Sequence, residues 1–276
     1  MTEPQLAVAR AHAAEWAVTL GYKAPNMRFV SGRIEALGQA GIADGSVDLV
    51  ISNWCVLACC GLVVACSRSY RSRSVVNLSA DKRAVLREVS RVLADGGELY
   101  FSDVYSDRRL PAAARADPLL VGECLGGALY IEDFKRLCVE AGFPDPRVMS
   151  SAPIEVNDAA MRDVLGEARF FSITYRLFKL PAGRLESLCE DYGQYAVYKG
   201  TIKGSANAYS LDDHHRLEKG KPFLVCGNTA SMLQETWLGK HFDVHGDRST
   251  HYGLFPCGPA PAAGAAAACA PGGACC

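Results

Sequence analysis

The chain has 276 residues, 49% of them hydrophobic and 21% charged, with a formal net charge of -1. This length is enough to bury a core in one large or two modest domains, and the near-neutral balance excludes the basic footprint of a nucleic-acid binder. The longest apolar run, Trp54 to Cys66, falls short of the roughly 20 residues that a membrane-spanning helix needs.

In chain order, the first residues carry early acids and lack the basic start and cleavage pattern of a secretory signal, so the expected location is cytoplasmic. Leu6, Ala9, Ala13, Trp16, Ala17 and Leu20 recur at helical spacing up to Gly21, which predicts an amphipathic helix over 3 to 20. The apolar runs MRFV (27 to 30) and VDLVIS (47 to 52) read as buried parallel strands. Val85, Leu86, Val89, Val92 and Leu93 form another helix face, and the Asp-Gly-Gly turn at 95 to 97 ends it before the strand ELYFSD at 98 to 103. Such alternation predicts an α/β fold, an incomplete doubly wound, Rossmann-like sheet over 1 to 150. From 151 the strand-like runs at 170 to 180, 195 to 202 and 222 to 226 predict a smaller α+β domain to residue 255. Residues 256 to 276, nearly all Pro, Ala, Gly and Cys, read as a flexible cysteine-containing tail.

Twelve cysteines without an export signal suit free thiols in a reducing compartment, where they offer ligands to soft electrophiles and metals. Cys138 and Cys226 lie among apolar neighbours and read as buried small hydrophobes.

The segment SVDLVISN, followed by a helix and LREVSRVLADGGELYFSDV, resembles the second half of a class I S-adenosylmethionine-dependent methyltransferase. Downstream, GECLGGALYIEDF (122 to 134), LESLCEDYGQYAVYKGTI (185 to 202) and LDDHHRLEKGKPFLVCGNTASML (211 to 233) together resemble the arsenite methyltransferase family. The resemblance implies methyl transfer from S-adenosylmethionine to thiol-bound trivalent arsenic. Glutathione or thioredoxin would be the external reductant, and a small molecule, arsenite or its thiol conjugate, the partner. No nucleic acid, membrane or second subunit enters that expectation. It also implies that Cys124 and Cys189 are the two sulfurs that grip arsenic.

For the co-substrate, the resemblance points to Met1 against the adenine and to Ile34 and Glu35, in GRIEAL, near it. Asn53 ends a predicted strand, where open α/β sheets bind ligands. On the same resemblance the chain begins at the Met that follows a ribose-binding acid. None of its 26 glycines makes a G-x-G turn, so activity is expected to be impaired. The alternative is a non-catalytic thiol protein that binds arsenite or soft metals.

Residues 54 to 74 interrupt the resemblance and read as a foreign insertion. After the first two bases of the Trp54 codon the next two must be GT, an intron's usual opening, and an AGC codon at Ser74 would supply the closing AG and restore a cysteine codon. A translated intron is the expectation; a buried hairpin of WCVLACCGLVVAC or a metal-binding loop with a basic arm are the alternatives, although the cysteine spacing fits no zinc pattern. His241 and His245 have the spacing of a helical metal pair without a third ligand, and His214 and His215 carry no role that the sequence yields.

Overall fold

A computed structural model describes residues 3–24, 26–53, 69–73, 77, 79 and 81–257, with backbone alone at Asn53 and 69–73. The chain begins with two short helices, α1 (Glu3–Ala11) and α2 (Ala13–Thr19), and a 3-10 segment, Ile34–Ala40, leads to strand β1 (Val47–Asn53). Strand β2 (Ser69–Arg73), helix α3 (Lys82–Val92) and the long strand β3 (Leu93–Ser106) follow. Then come helices α4 (Ala112–Ala116) and α5 (Pro118–Gly122), strand β4 (Leu129–Tyr130), helix α6 (Ile131–Glu140), strand β5 (Arg147–Ile154), helix α7 (Ala159–Leu165) and strand β6 (Phe170–Phe178).

These strands form one sheet in the order β2-β1-β3-β6-β5, with β4 on the end of β3. β6 runs antiparallel to both β3 and β5, while β1, β2, β3 and β4 are mutually parallel. The Asp81 carboxylate caps α3 by accepting from the Ala84 amide at 2.9 Å, and Val85, Leu86, Val89 and Val92 bury its apolar face on the sheet. On the other side of that core Phe101, Tyr105, Phe134 and Tyr175 pack ring on ring with centroids 4.7–6.2 Å apart.

The remaining strands are β7 (Glu190–Asp191), β8 (Gln194–Tyr198), β9 (Ala208–Ser210), β10 (Arg216–Glu218), β11 (Pro222–Val225), β12 (Phe242–His245) and β13 (Gly253–Leu254). β8 is the centre of an antiparallel β11-β8-β12 sheet covered by helix α8 (Gly227–Glu235). Phe178, at the end of β6, lies in this second core beside Ala196, Tyr198 and Leu233, so the two units share a strand. Buried polar groups reinforce the join: Arg176 pairs with Glu98 and donates to the Tyr209 hydroxyl at 2.8 Å, and the Trp237 indole donates to Glu98 at 3.0 Å.

An α/β sheet followed by a smaller α+β unit therefore stands, with five differences. The predicted helix over 3 to 20 breaks at His12, which has φ -93° and ψ 1°. MRFV has no ladder partner among the described residues, and the Phe29 carbonyl instead accepts two bonds from Arg10 at 3.1 and 3.2 Å. The Asp-Gly-Gly turn does not precede its strand: the β1 pairing jumps from Val47↔Leu93 to Leu49↔Glu98, so 94–97 bulge out within β3, with Gly96 at φ +82°. β5 and β6 join the first sheet, which carries it past residue 150 to about 178. Finally, 69–73 of the segment read as an insertion pair in parallel with β1 at the sheet edge. Residues 54–68, Met1 and 258–276 lie outside the described residues.

Candidate functional site

At the carboxyl end of β3 a polar cluster surrounds Asp103. Its carboxylate accepts from the Asn77 amide at 3.1 Å and the Val104 amide at 2.9 Å, while Lys82 donates to the Asn77 and Ser79 carbonyls at 3.2 and 3.1 Å. Burial raises the Asp103 carboxyl to about 6 against the pull of those amides and of Lys82, and burial in turn lowers the Lys82 ammonium. A cavity of about 550 Å³ opens here, lined by Asn77, Ser79, Lys82, Arg115, Gly126 and Gly127 among others. Gly127 passes so close to Asn77 that a Cβ would sit 2.2 Å from the Asn77 carbonyl oxygen.

The turn that carries these glycines also carries Cys124. It is buried among Val104, Leu110, Ala114, Leu120 and Phe170, and its φ of +62° is the one left-handed value among the described non-glycine residues. A Cβ in that region crowds the backbone, a cost that chains retain chiefly where a side chain must point one way.

A second constellation lies elsewhere. The Sγ atoms of Cys189, Cys226 and Cys257 all fall within 4.8 Å of one another. Cys226 is the N-cap of α8, where its sulfur accepts from the Thr229 amide at 3.5 Å and lies 3.9 Å from the Arg147 guanidinium. The Cys189 hydrogen bond, then Arg147 and Thr229, hold the Cys226 thiol down at about 4, and Cys189, which keeps the shared proton, is pushed well up. Burial lifts Cys257 to about 11. The 185–189 loop is fixed by Asn228, whose amide bonds both Glu186 backbone groups at 2.8 Å and the Asp145 carboxylate at 3.0 Å. The pairing of β13 with β7, extended by the Phe255 amide on the Cys189 carbonyl at 2.8 Å, brings Cys257 in.

Cys124 belongs to the core cluster that includes Phe170 at one end of β6, and Cys189 lies with Cys226 and Cys257. Ile34 is a core residue, and the Glu35 carboxylate accepts from Arg33 at 2.7 Å. Asn53 does end β1, beside Ser102 of β3.

Cys226 is buried, as its apolar neighbours imply, and its sulfur also caps α8, with Cys257 beside it. The C-G-N-T pattern after an apolar strand is the available signal, since it places a polarisable side chain at a helix N-cap three residues before Thr229. His241 ends a 3-10 turn and His245 lies in β12, stacked on Tyr195, so they form no helical pair. His215 is buried on Asp212, which also pairs with Arg147 at 3.1 Å; His214 is bonded to Asp213 at 2.6 Å. No helix among the described residues is long and apolar enough to cross a membrane.

A family model described as a methyltransferase domain matches residues 1–142. An arsenite methyltransferase of Aquipseudomonas alcaligenes is 50% identical over 255 residues, which cover 92% of this chain and 67% of that protein. The chain belongs to the arsenite methyltransferase family. The family member of Mus musculus is 38% identical over 88% of this chain and 58% of its own length, so the chain spans 58–67% of these curated relatives. The crystal structure of an arsenic(III) S-adenosylmethionine methyltransferase of this family from Chlamydomonas reinhardtii superposes with a TM-score of 0.81 at 54% identity, covering 92% of this chain and 78% of that one.

Proposed function

We propose that the protein transfers a methyl group from S-adenosylmethionine to trivalent arsenic bound to thiol sulfur. Membership of the arsenite methyltransferase family supports the reaction class, and the carrying observation is Cys124. Its thiol is held by a strained turn next to a polar cavity at the carboxyl end of β3, the end at which open α/β sheets bind ligands. S-adenosylmethionine, when bound, supplies an electrophilic sulfonium methyl that the lone pair of As(III) can reach.

The chain's own residues hold and orient. Asn77 and the buried Asp103 make that end polar, which fits a zwitterionic co-substrate; Asn53, which ends β1, remains a candidate by position, Ile34 and Glu35 remain the candidates beside the adenine, and Met1 lies outside the described residues. Cys124 supplies one sulfur to arsenic and a glutathione-type thiol fills the remaining valences; the lone pair that forms the As–C bond leaves arsenic pentavalent, and two thiols, oxidised to a disulfide, return it to the trivalent state. Fixing the two reactants in line is the main contribution asked of the protein, because no base is needed to free a lone pair that is already there.

Incubation with arsenite, glutathione and methyl-labelled S-adenosylmethionine, with chromatography of the arsenic, tests this. Methylated arsenic is expected from the native chain and loss to background from C124S; label-free arsenic from both, or equal product from both, overturns the assignment. Arsenic binding without methyl transfer would favour the non-catalytic reading, to which the three-thiol cluster lends weight.

A further inference from the structure

We propose that Arg115 determines specificity at the Cys124 turn: its guanidinium takes a carboxylate of the thiol that carries arsenic, so the preferred substrate is arsenic(III) on an anionic thiol of the glutathione type. The presence of arsenic rests on the methylation reading above; the carboxylate site itself rests on the lining of the cavity beside Cys124.

That cavity, of about 550 Å³, falls within the roughly 300–1,000 Å³ of small-molecule sites and is far larger than arsenite alone. Its charged lining is Asp81, Lys82, Arg83 and Arg115, three cations against one carboxylate. All but Arg115 are engaged. Asp81 caps α3 on the Ala84 amide at 2.9 Å, Lys82 donates to the Asn77 and Ser79 carbonyls at 3.2 and 3.1 Å, and Arg83 pairs with Glu140 at 3.3 Å. Arg115 is exposed, and among the described residues its side chain has no hydrogen-bond or ion-pair partner.

The backbone sets Arg115 beside the reacting thiol. Its neighbour Ala114 is buried in the same cluster as Cys124, and the Ala114 carbonyl comes so near Gly126 that a Cβ there would sit 2.7 Å from it. Helix α4 is thereby pinned to the turn that carries Cys124, with Arg115 on the cavity lining. A thiol of tripeptide length spans at most about 10 Å, enough to set a terminal carboxylate on the guanidinium while its sulfur holds arsenic at Cys124. The planar guanidinium fork matches both oxygens of a carboxylate, and a neutral thiol offers it nothing. On binding, one As–S bond to the carrier breaks as the As–S bond to Cys124 forms. The Cys124 proton leaves on the released thiol, and arsenic stays trivalent.

The test is protection of Cys124 from alkylation in the full chain, read by mass spectrometry of its peptide. The protecting agents are preformed conjugates of arsenite with glutathione, which is anionic, and with 2-mercaptoethanol, which is neutral. R115Q alters an exposed side chain and leaves the fold in place, checked by circular dichroism. Expected is that R115Q weakens protection by the glutathione conjugate about 10-fold, the scale of one charge-assisted hydrogen bond, and leaves protection by the neutral conjugate unchanged. Equal changes with both conjugates, no change with either, or no protection of the native chain overturns the proposal. So does a loss of S-adenosylmethionine binding by calorimetry with the glutathione conjugate unaffected, which would hand the guanidinium to the co-substrate's carboxylate. Methyl transfer is assayed separately, so a chain that methylates without this dependence on Arg115 sinks the carboxylate site alone, and one that shows the dependence without methylating sinks only the reaction.

Discussion

At the scale of single residues, Cys124 and Cys226 show two ways in which a thiol is specialised. Cys124 is held at φ +62°, so replacing it tests backbone strain apart from chemistry. C124G is expected to be more stable than C124A by about 1 kcal/mol, since glycine alone takes that conformation freely. Denaturant unfolding measures the difference, and equal midpoints would show that the turn has relaxed. Cys226 is depressed to about 4, below its ordinary value, so its thiolate contributes stability that is present above the usual thiol range and lost as pH falls through about 4. Ultraviolet thiolate absorbance of the native chain should therefore exceed that of C226S between roughly pH 5 and 8. Identical titrations would place the proton on Cys226 instead. Sequence showed Cys124 through its motif, but Cys226 and Cys257 lie 37 and 68 residues beyond Cys189, and only the folded loops make them neighbours.

At the scale of elements, helix α3 and strand β3 were legible because an Asp cap and a 3.6-residue apolar period need no tertiary information. MRFV was not, since an apolar run becomes a strand only if a partner edge is available. The turn after α5 depends on close approach as much as on sequence. G127A would drive a methyl into the Asn77 carbonyl and should cost a few kcal/mol or displace the turn, visible as a lowered melting temperature and a loss of Cys124 protection from alkylation. Asp103 gives the same region a pH signature. Its carboxyl, raised to about 6, binds its proton more tightly folded than unfolded, so stability should fall as pH rises from about 4 to about 6, on the order of 3 kcal/mol. In D103N that slope should vanish, and a slope that persists would assign it to another group.

For the whole molecule, the boundary placed at residue 150 from sequence misses what β6 does. Strand-like runs at 147–154 and 170–178 look the same whether they begin a second unit or complete the first, because nothing in a β pattern states which neighbour it pairs with. Arg147 and Arg176 then tie the units together. R147A leaves Asp212 and Asp145 without their buried cation and should cost about 3–5 kcal/mol. Tryptophan fluorescence and far-ultraviolet dichroism should lose signal together in the native chain, whereas two separated transitions would show units that unfold independently. The inserted stretch is a question for the transcript: a message joining the Asn53 codon directly to the restored cysteine codon is the expected outcome, and one that carries all 21 intervening codons would make β2 a genuine edge strand.

The antiparallel β6 also sets a timetable. It lies between β3 and β5 yet leaves the ribosome after both, so the sheet stays split along its middle until residue 178 has been made. Until then the unpaired edges of β3 and β5, and the rings of Phe101, Tyr105 and Phe134 that await Tyr175, are open to any passing strand. During synthesis this half-built sheet is where the nascent chain most needs a chaperone.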